Sequence, residues 1–200
     1  MKTTNTWSKP KGYRGIWSSN GSLTTDEPHA FVHYSGGFAT AFCKHLPMAM
    51  YAETAEKTFF CYAGSHPDEH SILIMASYFD HRSKLVPRPT VIIDKCTDDA
   101  HDNPVLSIDG DGFIWIFASA HGTQRPAYIF RSQEPYSTAA FDPVDEMNFS
   151  YPQPWYIPGQ GFLFLHTRYD ENGRSLYWMT STDGRTWGKP ICLASIERGH

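Results

Sequence analysis

The 200-residue sequence is 40% hydrophobic and 15% aromatic, enough to bury a core, and carries a formal net charge of −4 with acidic and basic residues interspersed. That balance leaves no electrostatic footprint for nucleic acid or an anionic membrane, so neither is expected as a partner. Residues 1–10 lack the apolar stretch of an export signal and no run reaches transmembrane length, so the chain as given reads as soluble and without a signal peptide.

With 15 glycines and 14 prolines the composition favours many short strands over long helices, an all-β class. Cys43, Cys61, Cys96 and Cys192 are scattered without a Cys-x-x-Cys pair and are expected to be buried single thiols. Residues 1–40, rich in Gly, Ser, Thr and aromatics, read as an N-terminal segment with room for one strand. From about residue 41 to 200 a pattern repeats roughly every 50 residues, the spacing of propeller blades.

The first unit, about 45–95, predicts strands at Pro47–Tyr51, Thr58–Gly64, Ser71–Phe79 and Thr90–Asp94. The second, about 101–145, predicts Pro104–Ile108, Phe113–Ala120, Ala127–Ser132 and a weaker strand after Ala139. The third, about 151–195, predicts Pro154–Ile157, Phe162–Arg168, Ser175–Ser181 and Lys189–Ala194. Phe113-Ile114-Trp115-Ile116-Phe117 and Phe162-Leu163-Phe164-Leu165 are almost continuously apolar, as expected of strands covered on both faces by neighbouring blades. Asp109-Gly110-Asp111-Gly112 and Pro158-Gly159-Gln160-Gly161 place turn residues directly before these runs, which argues against buried helices. The expected architecture is a β-propeller of four-stranded antiparallel blades. Three blades do not close a ring, so the chain is expected to be the N-terminal part of a longer propeller.

One hairpin concentrates polar residues. The loop before Pro104 carries Asp98, Asp99, His101, Asp102 and Asn103, the Gly-Asp-Gly turn folds the chain back, and the returning strand ends at His121. The fold-back predicts that His101 and His121 are neighbours. The aspartates around His101 read equally well as turn-forming carboxylates.

Gly12-Tyr13-Arg14-Gly15-Ile16-Trp17, Tyr34-Ser35-Gly36-Gly37, Lys57-Thr58-Phe59-Phe60, Asp98 to Pro104 and Tyr151-Pro152-Gln153-Pro154 together resemble the BNR-repeat seven-bladed β-propellers, a group that includes ulvan lyases and other enzymes acting near rhamnose and glucuronic acid. Thr180 to Trp187 is similar to a shortened Asp-box, the turn that names such repeats. The resemblance implies three to four of seven blades in this chain, a uronic-acid- and rhamnose-containing polysaccharide or oligosaccharide as partner, and secretion or a periplasmic location. No required cofactor is expected, with a structural metal ion left open.

For activity it implies a polysaccharide lyase. Such an enzyme must neutralise the uronate carboxylate, remove the C5 proton and protonate the leaving oxygen, steps suited to histidine, tyrosine and arginine. By resemblance His101 and His121 match the two histidines of the ulvan-lyase site, Tyr151 its tyrosine and Arg168 its arginine, with Arg168 as the carboxylate clamp. Arg125, His166 and Asn103 are the further substrate-binding candidates. His45, before the first strand, resembles a histidine on the opposite propeller face in relatives that are glycoside hydrolases, which leaves release of rhamnose as an alternative. A non-catalytic carbohydrate-binding propeller, with Trp155 and Tyr156 stacking on sugars, is the third reading. No compact metal-ligand set is evident. His66 and His70 read as members of a solvated loop.

Overall fold

The computed structural model describes residues 45–65, 71–170 and 173–195; the expected N-terminal segment 1–40, Cys43, His66 and His70 lie outside them. Twelve strands run in chain order: β1 (Ala49–Ala52), β2 (Lys57–Ser65), β3 (Ile72–Asp80), β4 (Thr90–Asp94), β5 (Pro104–Ile108), β6 (Ile114–Ala118), β7 (Ala127–Ser132), β8 (Phe141–Met147), β9 (Ser150–Ile157), β10 (Gly161–Asp170), β11 (Gly173–Ser181) and β12 (Ile191–Ser195). They form three four-stranded antiparallel sheets in the orders β1-β2-β3-β4, β5-β6-β7-β8 and β9-β10-β11-β12. These are the blades that the repeat predicts, each folded from consecutive strands, so every pairing is local in sequence.

The middle blade explains the continuous apolar runs. Ile114, Ile116 and Ala118 of β6 pack with Phe59, Cys61, Ile74 and Ala76 of the first blade. Trp115 and Phe117 of the same strand point the other way, into Phe162, Phe164, Met179 and Trp187 of the third. Alternation along a strand sends successive side chains to opposite faces, so a strand with blades on both sides must be apolar at every position. Trp115 and Phe117 are essentially inaccessible, and burying side chains of this size contributes about 1.5–3 kcal/mol each.

Two of the blade turns are built by carboxylates. Asp109 accepts the backbone N–H of Phe113 at 2.8 Å and of Asp111 at 3.1 Å, and its second oxygen accepts Trp115 Nε1–H at 2.8 Å. Gly112 has a φ of 86° and lies under the Tyr136 ring, where a Cβ would come within 2.4 Å of the ring. In the third blade Asp183 accepts the N–H groups of Arg185 at 2.8 Å and Thr186 at 2.7 Å, and Gly184 lies against Trp115. These turns anchor the blade interfaces at the end opposite the histidine-bearing loops.

Two expectations are corrected. Of the described cysteines, Cys61 is buried but Cys96 and Cys192 are exposed, Cys96 in a turn after β4 and Cys192 on the outermost strand β12. Both sit at blade margins, where no neighbouring strand among the described residues covers them. Tyr156 packs edge-on against Phe162 at 5.2 Å and approaches Gly110, so of the two proposed sugar-stacking aromatics Trp155 alone counts as exposed. Among the described residues no helix is long and apolar enough to cross a membrane.

Candidate active site

Pairing of Pro104 with Ala118 at the end of the β5–β6 ladder brings the loop before β5 alongside the residues that follow β6. That loop is a single 3₁₀ turn, Ala100–Asp102, with Asp99 as its N-cap accepting the His101 backbone N–H at 3.0 Å. His101 and His121 consequently stack, with ring centroids 3.9 Å apart and planes inclined by 18°. Their expected proximity is met by this local register.

Both rings rest on one carboxylate. Asp99 Oδ1 lies 2.6 Å from His101 Nδ1, and Asp99 Oδ2 lies 2.9 Å from His121 Nδ1 and accepts Arg125 Nη2–H at 3.0 Å. Burial pushes the Asp99 carboxyl up, but the hydrogen bonds from the His101 side chain and backbone and from His121 outweigh it and hold the group well below the usual carboxylate range. Behind it Asp102, fully buried, accepts the His121 backbone N–H at 3.0 Å and the Arg125 guanidinium at 3.0 and 3.3 Å. The Lys95 ammonium lies 3.3 Å from Asp102 and donates to the Pro126 carbonyl at 2.7 Å. Burial lowers the Lys95 pKa against the opposing pull of Asp102. Arg125 is raised, first by its hydrogen bonds to Asp102. Its guanidinium is thus engaged by two carboxylates, which makes it a brace for the histidines before it is a contact for substrate.

The third blade supplies the other wall. Gln153 pairs with Leu165 and Ser150 with Thr167, so β9 has two residues, Tyr151 and Pro152, where β10 has only His166. Tyr151 sits in this bulge with a φ of 49°, a left-handed conformation that costs a bulky side chain about 1–2 kcal/mol. The bulge turns the Tyr151 ring toward His101, edge-on at 5.9 Å, and toward His45 at 5.3 Å. Ser150 donates to the Ala120 carbonyl, tying the bulge to the end of β6. Arg174 Nη1–H donates to the Tyr151 phenol oxygen at 3.2 Å, and Tyr169, which acts electrostatically on the same phenol, meets the His121 ring edge-on at 5.5 Å. Burial, with Tyr169 adding and Arg174 opposing, raises the Tyr151 phenol to about 12, so it holds its proton at any neutral pH.

Of the residues singled out in the sequence, the structure brings His101, His121, Tyr151, Arg125 and His45 together. His45 is fully buried, its Nε2 3.1 Å from the His101 carbonyl oxygen. It therefore lies at the same end as the paired histidines and not on the opposite face, because it precedes β1 just as His101 precedes β5. Asn103 follows the 3₁₀ turn and is buried, with no partner for its Nδ2 among the described residues.

Arg168 and His166 go elsewhere. On β10 they share the face of Phe162 and Phe164 and line a cleft of about 390 Å³ between the second and third blades, with Asp145, Glu146, Asn148, Trp187 and Lys189. The Arg168 guanidinium lies 5.7 Å from the Tyr177 ring centroid. His166 is buried against Phe164 at 4.6 Å, and desolvation, reinforced by the Arg168 charge, lowers its pKa to about 4. The arginine that meets Tyr151 is Arg174, cross-strand from Tyr169.

Asp99, Asp102, Lys95, Tyr169 and Arg174 were not among the sequence-level candidates. For Asp99 a signal existed, a carboxylate two residues before a histidine, but it is indistinguishable in sequence from a turn-forming aspartate. Indeed Asp99 does both. One ring nitrogen each of His101 and His121 and a carboxylate oxygen of Asp99 lie within 4.8 Å of one another, close enough for a cation. Two imidazole nitrogens, the His101 backbone N–H and the cationic Arg125 already surround that carboxylate, so the arrangement fits a hydrogen-bonded centre better than a metal site.

Two similar solved structures are of an ulvan lyase from a new polysaccharide lyase family, one of them bound to -[GlcA(1-4)Rha3S]-. They share 18% and 17% identity with this chain at a TM-score of 0.62, with 74% of this chain and 38% of the other covered in each case. The chain therefore spans well under half the length of these neighbours, and the likeness supports the propeller fold. No curated protein sequence matches. A family model described as a BNR repeat-containing family member matches residues 57–191, which takes in most of the three blades, and the chain belongs to the BNR repeat-containing family.

Proposed function

We propose that this protein is a polysaccharide lyase that cleaves beside a uronic acid by β-elimination, acting on a polymer of rhamnose and glucuronate. The observation that carries this reading is the stacked His101–His121 pair on one carboxylate, facing a buried phenol that keeps its proton. The likeness to ulvan lyases supports the substrate class.

In the proposed reaction one imidazole takes the C5 proton through its Nε2 lone pair. The electron pair of the C5–H bond becomes the C4=C5 double bond, the C4–O4 bond breaks, and O4 receives the Tyr151 proton. The second imidazole and the Arg174 guanidinium face the sugar carboxylate and offset the charge that develops on it. The strained backbone at Tyr151 fits this assignment, since such strain persists where the surrounding structure holds a side chain in place for use.

The test is near-ultraviolet absorbance of the unsaturated product while the purified protein is incubated with ulvan and other rhamnose–glucuronate polymers. A rise that disappears in both His101→Ala and His121→Ala is the expected result; full activity in both variants would sink the reading. Free rhamnose without the chromophore would select hydrolysis, and saturable binding without product a carbohydrate-binding propeller.

A further inference from the structure

The two imidazoles are held by a carboxylate with no spare capacity. Asp99 Oδ1 takes the His101 backbone N–H at 3.0 Å and faces His101 Nδ1 at 2.6 Å; Oδ2 faces His121 Nδ1 at 2.9 Å and takes the Arg125 N–H at 3.0 Å. An ionised carboxylate accepts and does not donate, and two oxygens offer about four lone-pair directions. All four are used. A ring nitrogen at 2.6 or 2.9 Å from such an oxygen must itself bear the hydrogen, because two lone pairs at that separation would repel. Arg125 fixes the carboxylate in turn, being gripped by the buried Asp102, which also holds the His121 backbone.

We propose that Asp99 is the positioning residue that sets both His101 and His121, in their neutral forms, as Nδ1–H tautomers, leaving both Nε2 atoms as the lone-pair-bearing nitrogens of a matched pair. One acidic side chain thereby prepares two rings at once, and loss of it disorders both. The proposal rests on reading this centre as a lyase site for its use, while the tautomers themselves are a property of the protein alone. Either imidazole then has a lone pair to take the C5 proton, with the Nδ1–H···Asp99 bond stabilising the imidazolium as it forms.

The experiment is two-bond ¹H–¹⁵N correlation NMR on histidine-labelled protein at a pH of about 9, above the ordinary histidine range. His101→Gln and His121→Gln identify the two signals by their disappearance. Both rings are expected to show a pyrrole-type Nδ1 and a pyridine-type Nε2; Asp99→Ala is expected to return both toward the Nε2–H form, and Asp99→Asn the ring that faces its amide NH2. In the same variants uronate elimination should fall on the order of 10²–10⁴-fold in kcat, with Asp99→Glu recovering part of both signals. An Nε2–H tautomer at either ring in the unsubstituted protein would overturn the proposal, and so would tautomers unchanged in folded Asp99→Asn. Intact Nδ1–H tautomers in a protein that makes no unsaturated product would instead bring down the lyase reading and leave this one standing.

Discussion

Two clusters among the described residues that combine histidine, arginine and acidic side chains, at the blade ends and in the cleft, treat their histidines in opposite ways. At the blade ends His101 and His121 share Asp99, which is braced by Arg125, Asp102 and Lys95. In the cleft between the second and third blades His166 is walled in by Phe149 and Phe164, and its Nδ1 has no partner among the described residues. The first centre meets the cost of burying charge with opposite charge and directed hydrogen bonds; the second meets it by keeping the ring neutral. A histidine in a pocket is therefore not by itself a sign of chemistry. What separates the two is whether a carboxylate stands behind the ring.

The largest effect that tests this contrast is removal of the deepest brace. Asp102→Ala leaves the Lys95 ammonium and the Arg125 guanidinium short of their buried partner, and breaking such an arrangement from one side should cost about 3–5 kcal/mol. The urea midpoint reads it, and a loss under about 1 kcal/mol, the value of an exposed pair, would show that the network does not organise this end of the blades.

Next comes the pH response of the cleft. Burial holds His166 down to about 4 against an ordinary value of 6.5. Between those limits the unfolded chain binds a proton that the folded chain does not, so this contribution is fully present above pH 6.5 and is lost as pH falls toward 4. Its size is on the order of 3 kcal/mol at the acid end. The stability difference between the unsubstituted protein and His166→Gln, measured by urea unfolding across this range, should narrow as pH falls. A constant difference would mean that the ring is already solvated.

The smallest effect decides between two arginines. Arg174→Ala removes the guanidinium that meets Tyr151 and should lower kcat/KM for uronate polymers roughly tenfold or more, whereas Arg168→Ala, acting in the cleft, should leave it within about a factor of two. The reverse order would restore Arg168 as the carboxylate clamp that the family resemblance implies.

Much of this molecule was legible before its structure. The strands fell close to their predicted places because turn residues punctuate each blade, and β4, β5 and β7 have the predicted bounds. The nearness of His101 and His121 needed only hairpin pairing across β5 and β6, a relation between residues close in sequence. Composition and repeat length sufficed for the all-β class.

The partners of those histidines were decided by tertiary structure. In Phe162-Leu163-Phe164-Leu165 every position is apolar, so the sequence carries no mark of which parity faces the second blade. Arg168 and His166 lie on the cleft side with Phe162 and Phe164, while Tyr169 and Arg174 join Tyr151 and His121. Opposite the same strand, the one-residue bulge that turns Tyr151 toward His101 is marked in Ser150-Tyr151-Pro152 only by Pro152, which an edge strand accepts as readily as a bulge does. Alternation makes a shift of one residue exchange the two faces of a strand, and where both faces are apolar in sequence hydrophobicity cannot choose between them. The sequence alone determined the blades and their shared hairpin; the strand register within the third blade decided which cation meets the phenol, and its packing against the second decided which histidine is silenced by burial.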